Sequence, residues 1–174
     1  TAWCLYSLVK YFAPKNIMEV GTFIGKSSLS MVKAQDDLYL ENGYFVTCDF
    51  SNDITIPWSG KTKFKQYKKQ SSTEMLNNEL ISPDLISLDG RIQDNDLKIL
   101  EKLLNQHTII LLDDFEGAEK GVINYTKLKK ISKLKTHFLV YPCERSKLLE
   151  LGENSHSTTA VMLPTDLIEL VAQG

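Results

Sequence analysis

Cysteine is scarce in this sequence. Cys4, Cys48 and Cys143 are an odd number, widely spaced and without a C-x-x-C pair. That excludes a disulfide framework and a zinc knuckle, and it fits a reducing, cytoplasmic setting. His107, His137 and His156 are too scattered to add a zinc site. No apolar run reaches the roughly 18 to 20 residues that cross a bilayer, so no membrane partner is expected. The opening TAWCLYSLVKYF has the charge placement of an amphipathic helix rather than of a signal peptide. An excess of one charge is also missing. Twenty Lys+Arg stand against 22 Asp+Glu for a net charge of -2, which provides no field for holding a nucleic acid. The sequence does not start with Met, and a lid contributed from upstream is left open.

What is present is the pattern of one soluble α/β domain over residues 1–174, with 43% hydrophobic and 24% charged residues. Short apolar runs that end in polar or glycine-containing turns alternate with helical periodicity, as in repeated βα units around a mostly parallel sheet. Strands are expected at 16–20, 44–48, 63–67, 85–88, 108–112, 137–141 and 158–163. Helices are expected at 2–12, 26–35, 72–80, 94–105, 117–134 and 144–151. All five prolines fall outside these interiors. The expected fold is a doubly wound, seven-stranded sheet with its last strand antiparallel. Residues 52–63 are the least regular stretch and are read as a surface excursion whose Trp58 covers a sheet edge. Lysines at 61, 63, 65, 68 and 69 alternate as on a strand with one solvated face. Those at 127, 129, 130 and 133 suit a solvated helix face.

The segment NIMEVGTFIGKSSLSM is the most informative: a strand ends at Glu19 and Val20, a turn holds Gly21 and Gly25, and a helix starts near Lys26. In doubly wound sheets ligands sit beyond the carboxyl ends of the strands, where glycine lets the backbone approach them. A P-loop needs G-x-x-x-x-G-K-[ST], and GTFIGKS is one residue short, so an NTPase is the weaker alternative, helped only by the acid-ended strand IILLDD. Nicotinamide binding is disfavoured because Phe23 stands where G-x-G-x-x-G has its middle glycine. A carboxylate after the second strand is the expected ribose partner of a nucleoside ligand, and Asp49 in YFVTCDFS holds that place, with Phe50 beside it to flank a base.

The spacing E-x-G-x-x-x-G at Glu19, Gly21 and Gly25 resembles motif I of the class I S-adenosylmethionine-dependent methyltransferases, which have a Rossmann-like sheet. QSSTEML, PDLISLDGR and IILLDDF are similar to later segments of the small-molecule O-methyltransferase branch. The resemblance implies S-adenosylmethionine as cofactor, held by Glu19, Gly21, Thr22, Gly25, Ser27, Asp49, Phe50, Ser71, Ser72 and Asp89. It implies methyl transfer to a small-molecule acceptor, through oxygen. It also permits Mg²⁺ or a similar divalent ion on Asp89, Asp113 and Asp114, since three converging carboxylates repel one another unless a cation offsets them. Metal-dependent relatives carry a general base two residues after the fourth-strand acid. This chain has Arg91 there, which cannot accept a proton but can grip an anionic acceptor. Asp114 or Glu116 is left to take the proton, and a salt bridge to Asp94 or Asp96 is the plain alternative role for Arg91. Arg145 is a second, weaker candidate at the site border. A noncatalytic cofactor-binding module is the other reading, and a homo-oligomer is compatible with everything above.

Overall fold

The computed structural model describes residues 2–38, 42–51, 53–116, 118–140 and 158–167. The first apolar run forms β1 (Asn16–Val20), followed by β2 (Tyr44–Asp49), β3 (Lys63–Lys68), β4 (Leu85–Leu88), β5 (Ile109–Leu112), β6 (Phe138–Val140) and β7 (Ala160–Leu163). These strands pair in the order β3-β2-β1-β4-β5-β7-β6. The first five run parallel, and β7 is antiparallel to both β5 and β6. This is the expected doubly wound, mixed sheet.

Strands β1, β4 and β5 read as unbroken apolar runs because both their faces are covered. Period-two alternation divides their side chains between two cores. Ile17, Phe45, Leu85 and Leu111 face α1 (Ala2–Phe12) and α2 (Lys26–Asp37), where Leu5, Val9, Met31 and Val32 meet them. Met18, Val46, Ile86 and Leu112 face α3 (Ser72–Asn78), α4 (Asp94–Leu103) and α5 (Lys120–Leu128) through Met75, Leu76, Leu100 and Leu128. The direction of winding reverses between β1 and β4, so a crevice is expected beyond their carboxyl ends.

Several boundaries differ from the sequence expectation, for identifiable reasons. Helix α3 stops at Asn78 rather than Leu80 because Glu79 takes an extended backbone. Its buried carboxylate then accepts hydrogen bonds from Tyr44 (2.8 Å), Tyr67 (2.6 Å) and Lys65 (2.7 Å). The single helix expected over 117–134 is instead α5 plus a 3-10 turn at Ser132–Leu134, separated by the extended Ile131. The helix expected at 144–151, and Arg145 and Cys143 with it, lie outside the described residues.

The irregular stretch is pinned to the sheet edge as a covering excursion. Ile56 donates to Gln66 (3.0 Å), the Trp58 indole to the Thr62 carbonyl (2.9 Å), and the backbone of Lys61 and Thr62 to Asp36. Trp58 packs with Phe64 over the core under α1 and α2. The lysines also have structural work: Lys68 reaches Thr55, Lys69 pairs with Asp53, Lys127 with Asp94, and Lys129 lies over the Tyr125 ring. Cys4 and Cys48 are free thiols. Among the described residues no helix is long and apolar enough to cross a membrane.

Candidate active site

The turn after β1 is built from backbone that few residues tolerate. Gly21 (φ 102°), Phe23 (φ 46°) and Gly25 (φ 80°) all lie in the left-handed region. A Cβ on Gly21 would stand 2.8 Å from the Gly90 nitrogen and 2.9 Å from the Asp89 carbonyl carbon, so only glycine lets the ends of β1 and β4 close together. Phe23 has no such licence, and its conformation costs about 1 kcal/mol or more. Its N–H donates to the Asp49 carboxylate at 2.6 Å, and a hydrogen bond to a charged group offsets a cost of that size. The strand ends are stitched in sheet order: Gly21 and Thr22 donate to the Cys48 carbonyl, Asp89 and Gly90 to Val20, and Asp113 to Leu88.

Beneath the turn, Glu19 is fully buried. It accepts hydrogen bonds from Ser28 and, at 2.7 Å, from Thr47, while its second oxygen has no partner. Burial pushes its pKa up to about 7, and the nearby hydroxyls of Ser27, Ser28 and Thr47 act against that rise. Thr22 joins the same chain through a 2.6 Å contact with Thr47.

Two hollows meet here. The larger, about 610 Å³, is bordered by Gly21, Asp49, Phe50, Ser71, Ser72 and Arg91. The smaller, about 430 Å³, is bordered by Thr22, Ser27, Asp113, Asp114 and Thr159. Phe23, Asp89 and Lys120 border both. Asp49 is 8% exposed and also accepts from the Ser51 N–H and hydroxyl, so it organises the loop as well as facing the hollow. Phe50 beside it is 76% exposed, an apolar ring open to a planar ligand. Ser71 is the N-cap of α3 in a capping box with Glu74, and Ser72 donates to Asp96 at 2.6 Å. Of the expected cofactor residues, Gly25 alone borders neither hollow. Its place is taken up by contact with Ile56, which a Cβ would meet at 1.9 Å.

Asp89, Asp113 and Asp114 converge as their positions at the ends of β4 and β5 imply, one oxygen of each lying within 4.8 Å of the others. Lys120, which the sequence did not single out, stands among them. Its ammonium contacts Asp89 and lies 2.9 Å from Asp114, while Asp113 accepts from the Thr159 hydroxyl at 2.8 Å. Burial pushes the Asp89 pKa up to about 6, with Lys120 opposing and the neighbouring acids adding to the rise. Burial works against the Lys120 charge as well, but Asp89 and Asp114 outweigh it and raise its pKa. The donor set is oxygen-only and suits magnesium in kind. As the side chains stand, however, a divalent ion on these oxygens would sit against an ammonium, so the group does not fit one without displacing it.

Arg91 borders the larger hollow, away from Asp113 and Asp114. The alternative role as a salt-bridge partner is not taken up: Asp94 pairs with Lys127, and Asp96 accepts from Ser72 and from the Gln93 N–H. Glu116 accepts from the Thr158 N–H at 2.8 Å and borders neither hollow.

No protein-family model matches the sequence, and no curated protein does. Solved structures do. The O-methyltransferase TomG from Streptomyces achromogenes, in complex with S-adenosylmethionine, superposes with a TM-score of 0.61 at 16% identity over 94% of this chain and 79% of its own. The Bacillus cereus O-methyltransferase bound to S-adenosylhomocysteine gives 0.59 at 16% identity, over 93% and 80%. The Podospora anserina methyltransferase PaMTH1, also bound to S-adenosylhomocysteine, gives 0.56 at 15%, over 93% and 77%. The chain has the Rossmann-like methyltransferase fold. In that fold the glycine turn, Asp49 and the acid group all lie at the carboxyl ends of β1, β2, β4 and β5, on the side where doubly wound sheets take ligands.

Proposed function

We propose that the protein binds S-adenosylmethionine across the ends of β1 and β2 and transfers its methyl group to an oxygen of a small molecule. The observation that carries this reading is the meeting of the two hollows at Phe23, Asp89 and Lys120, next to a glycine turn tied to Asp49. The larger hollow suits the nucleoside: Asp49 to the ribose hydroxyls, Phe50 against the base, and Ser71 and Ser72 near its amino group. Gly21, Thr22, Ser27 and Asp89 border the part that would take the amino-acid tail, over the buried Glu19. The smaller hollow is left for the acceptor.

When bound, the cofactor supplies a methyl carbon on a positively charged sulfur, and its C–S electron pair returns to sulfur as the new C–O bond forms. The protein then has little covalent work. It aligns the oxygen with the methyl carbon and removes one proton, for which Asp114 is the nearest carboxylate in the acceptor hollow. Arg91 stays protonated and serves a carboxylate or phosphate on a ligand rather than proton transfer. Thus an anionic acceptor that extends toward the larger hollow fits best.

The P-loop alternative is weakened by where the turn's donors go. The N–H groups of Gly21, Thr22, Phe23 and Gly25 all bond within the protein, and the Asp49 carboxylate lies against the turn, where a phosphate would be repelled. Calorimetry with S-adenosylhomocysteine and with ATP tests the proposal. Binding of the first and not the second is expected, and Asp49→Ala should weaken it by about 1 to 3 kcal/mol. Binding of ATP alone would reject the cofactor assignment. Tight binding without turnover over a broad acceptor panel would leave a cofactor-binding module.

A further inference from the structure

We infer that the Lys120 ammonium takes the place at Asp89, Asp113 and Asp114 that a divalent cation would otherwise hold, so that the protein carries its own fixed cation where donor and acceptor meet. Its role toward an acceptor rests on the methyl-transfer reading; its exclusion of a metal does not.

Three observations carry the inference. The first is chemical. The carboxylates converge closely enough to need a positive charge, and the side chain between them supplies one, touching Asp89 and lying 2.9 Å from Asp114. The second is architectural. Lys120 opens α5, and the next residue is pressed onto the turn after β5: a Cβ on Gly121 would stand 2.4 Å from the Asp113 carbonyl oxygen and 2.9 Å from that of Asp114. The Gly121 N–H donates to the same Asp114 carbonyl at 3.2 Å. Close helix-to-strand packing of this kind delivers the residue before the glycine onto the acids, so the lysine position follows from the backbone and not from a flexible reach. The third is positional. Lys120 borders both hollows, and an ammonium has three N–H donors. Two of them match Asp89 and Asp114, which leaves one for an oxygen in the acceptor hollow. An ion-coordinated oxygen and a lysine-bonded oxygen are held in similar ways, but the lysine needs no exchange with solvent metal.

The test uses Mn²⁺ as the probe on the full chain, without cofactor or acceptor, read by the electron paramagnetic resonance of free Mn²⁺ and by thermal melting. Wild type should take up no Mn²⁺ at this group, and its melting temperature should not move with the ion. Removing the ammonium in Lys120→Ala should unmask the carboxylates, giving Mn²⁺ affinity at least about tenfold above wild type and a melting temperature that rises with Mn²⁺. Adding Asp113→Asn should abolish that gain. Lys120→Met covers the case in which the alanine variant does not fold, and Lys120→Arg, which keeps the charge, should still refuse the ion. Wild type binding Mn²⁺ as tightly as Lys120→Ala would overturn the inference, because the ion would then displace the lysine. So would lysine-free variants that fold yet gain no affinity. Failure of the methyl-transfer reading appears separately, as absence of S-adenosylhomocysteine binding.

Discussion

Glu19 holds a carboxylate in complete burial with one oxygen unpartnered, and its pKa lies near 7 in place of the ordinary 4.5. The folded chain therefore keeps a proton between those two values that the unfolded chain has released. Stability from this residue falls as pH rises through that window, by a few kcal/mol in all. Glu19→Gln removes the ionisation while keeping an oxygen for Ser28 and Thr47. Urea unfolding should give similar stabilities for wild type and variant near pH 4.5, with the variant the more stable at pH 7.5. A difference that does not change with pH would mean that burial is not penalising the charge. At the same scale, Asp49 was legible from its place after β2, but not its second duty of holding Phe23 in a left-handed conformation. That duty depends on a contact 26 residues away in sequence. Ser71 likewise carried both readings, and its capping role is the one visible in the hydrogen bonds.

At the scale of elements, α5 decides where the acids find their cation. Its start at Lys120, three residues later than periodicity suggested, follows from Asp114 (φ 50°) turning the chain sharply after β5. Gly121→Ala should push α5 away from that turn, lowering stability by roughly 1 to 3 kcal/mol and loosening the contact of Lys120 with Asp89 and Asp114. Thermal denaturation checks the first effect, and Mn²⁺ uptake by the variant checks the second. An alanine variant as stable as wild type would show that the close approach is not needed. Sequence alone could have raised Lys120 only through the glycine that follows it, since close backbone packing leaves no hydrophobic pattern. The five parallel strands, by contrast, were legible because runs such as IILL are apolar on both faces. The short β6 and β7 were located but overextended, their flanking residues bonding in loops, as His137 does to the Thr108 carbonyl.

For the whole molecule, the strand order brings four strand ends, from β2 to β5, into one row, and every candidate group hangs from that row. The order itself could not be derived from periodicity, which fixes the face of a strand but not its neighbour. Gly21 is where the row is tightest, and Gly21→Ala should destabilise the domain by about 2 to 4 kcal/mol, because both backbone strain and the contact with Gly90 oppose the methyl group. Denaturant titration measures that loss, and a cost under half a kcal/mol, an order-of-magnitude threshold for a benign surface change, would contradict the packing argument. The most direct measurement of the central claim is a crystal structure of the protein soaked with S-adenosylhomocysteine. The account predicts density for its amino-acid tail along residues 21–25 and its ribose at Asp49, with the sulfur facing Lys120 and the acids. Nucleoside density elsewhere, or a turn that stays closed to the ligand at saturating concentration, would contradict it.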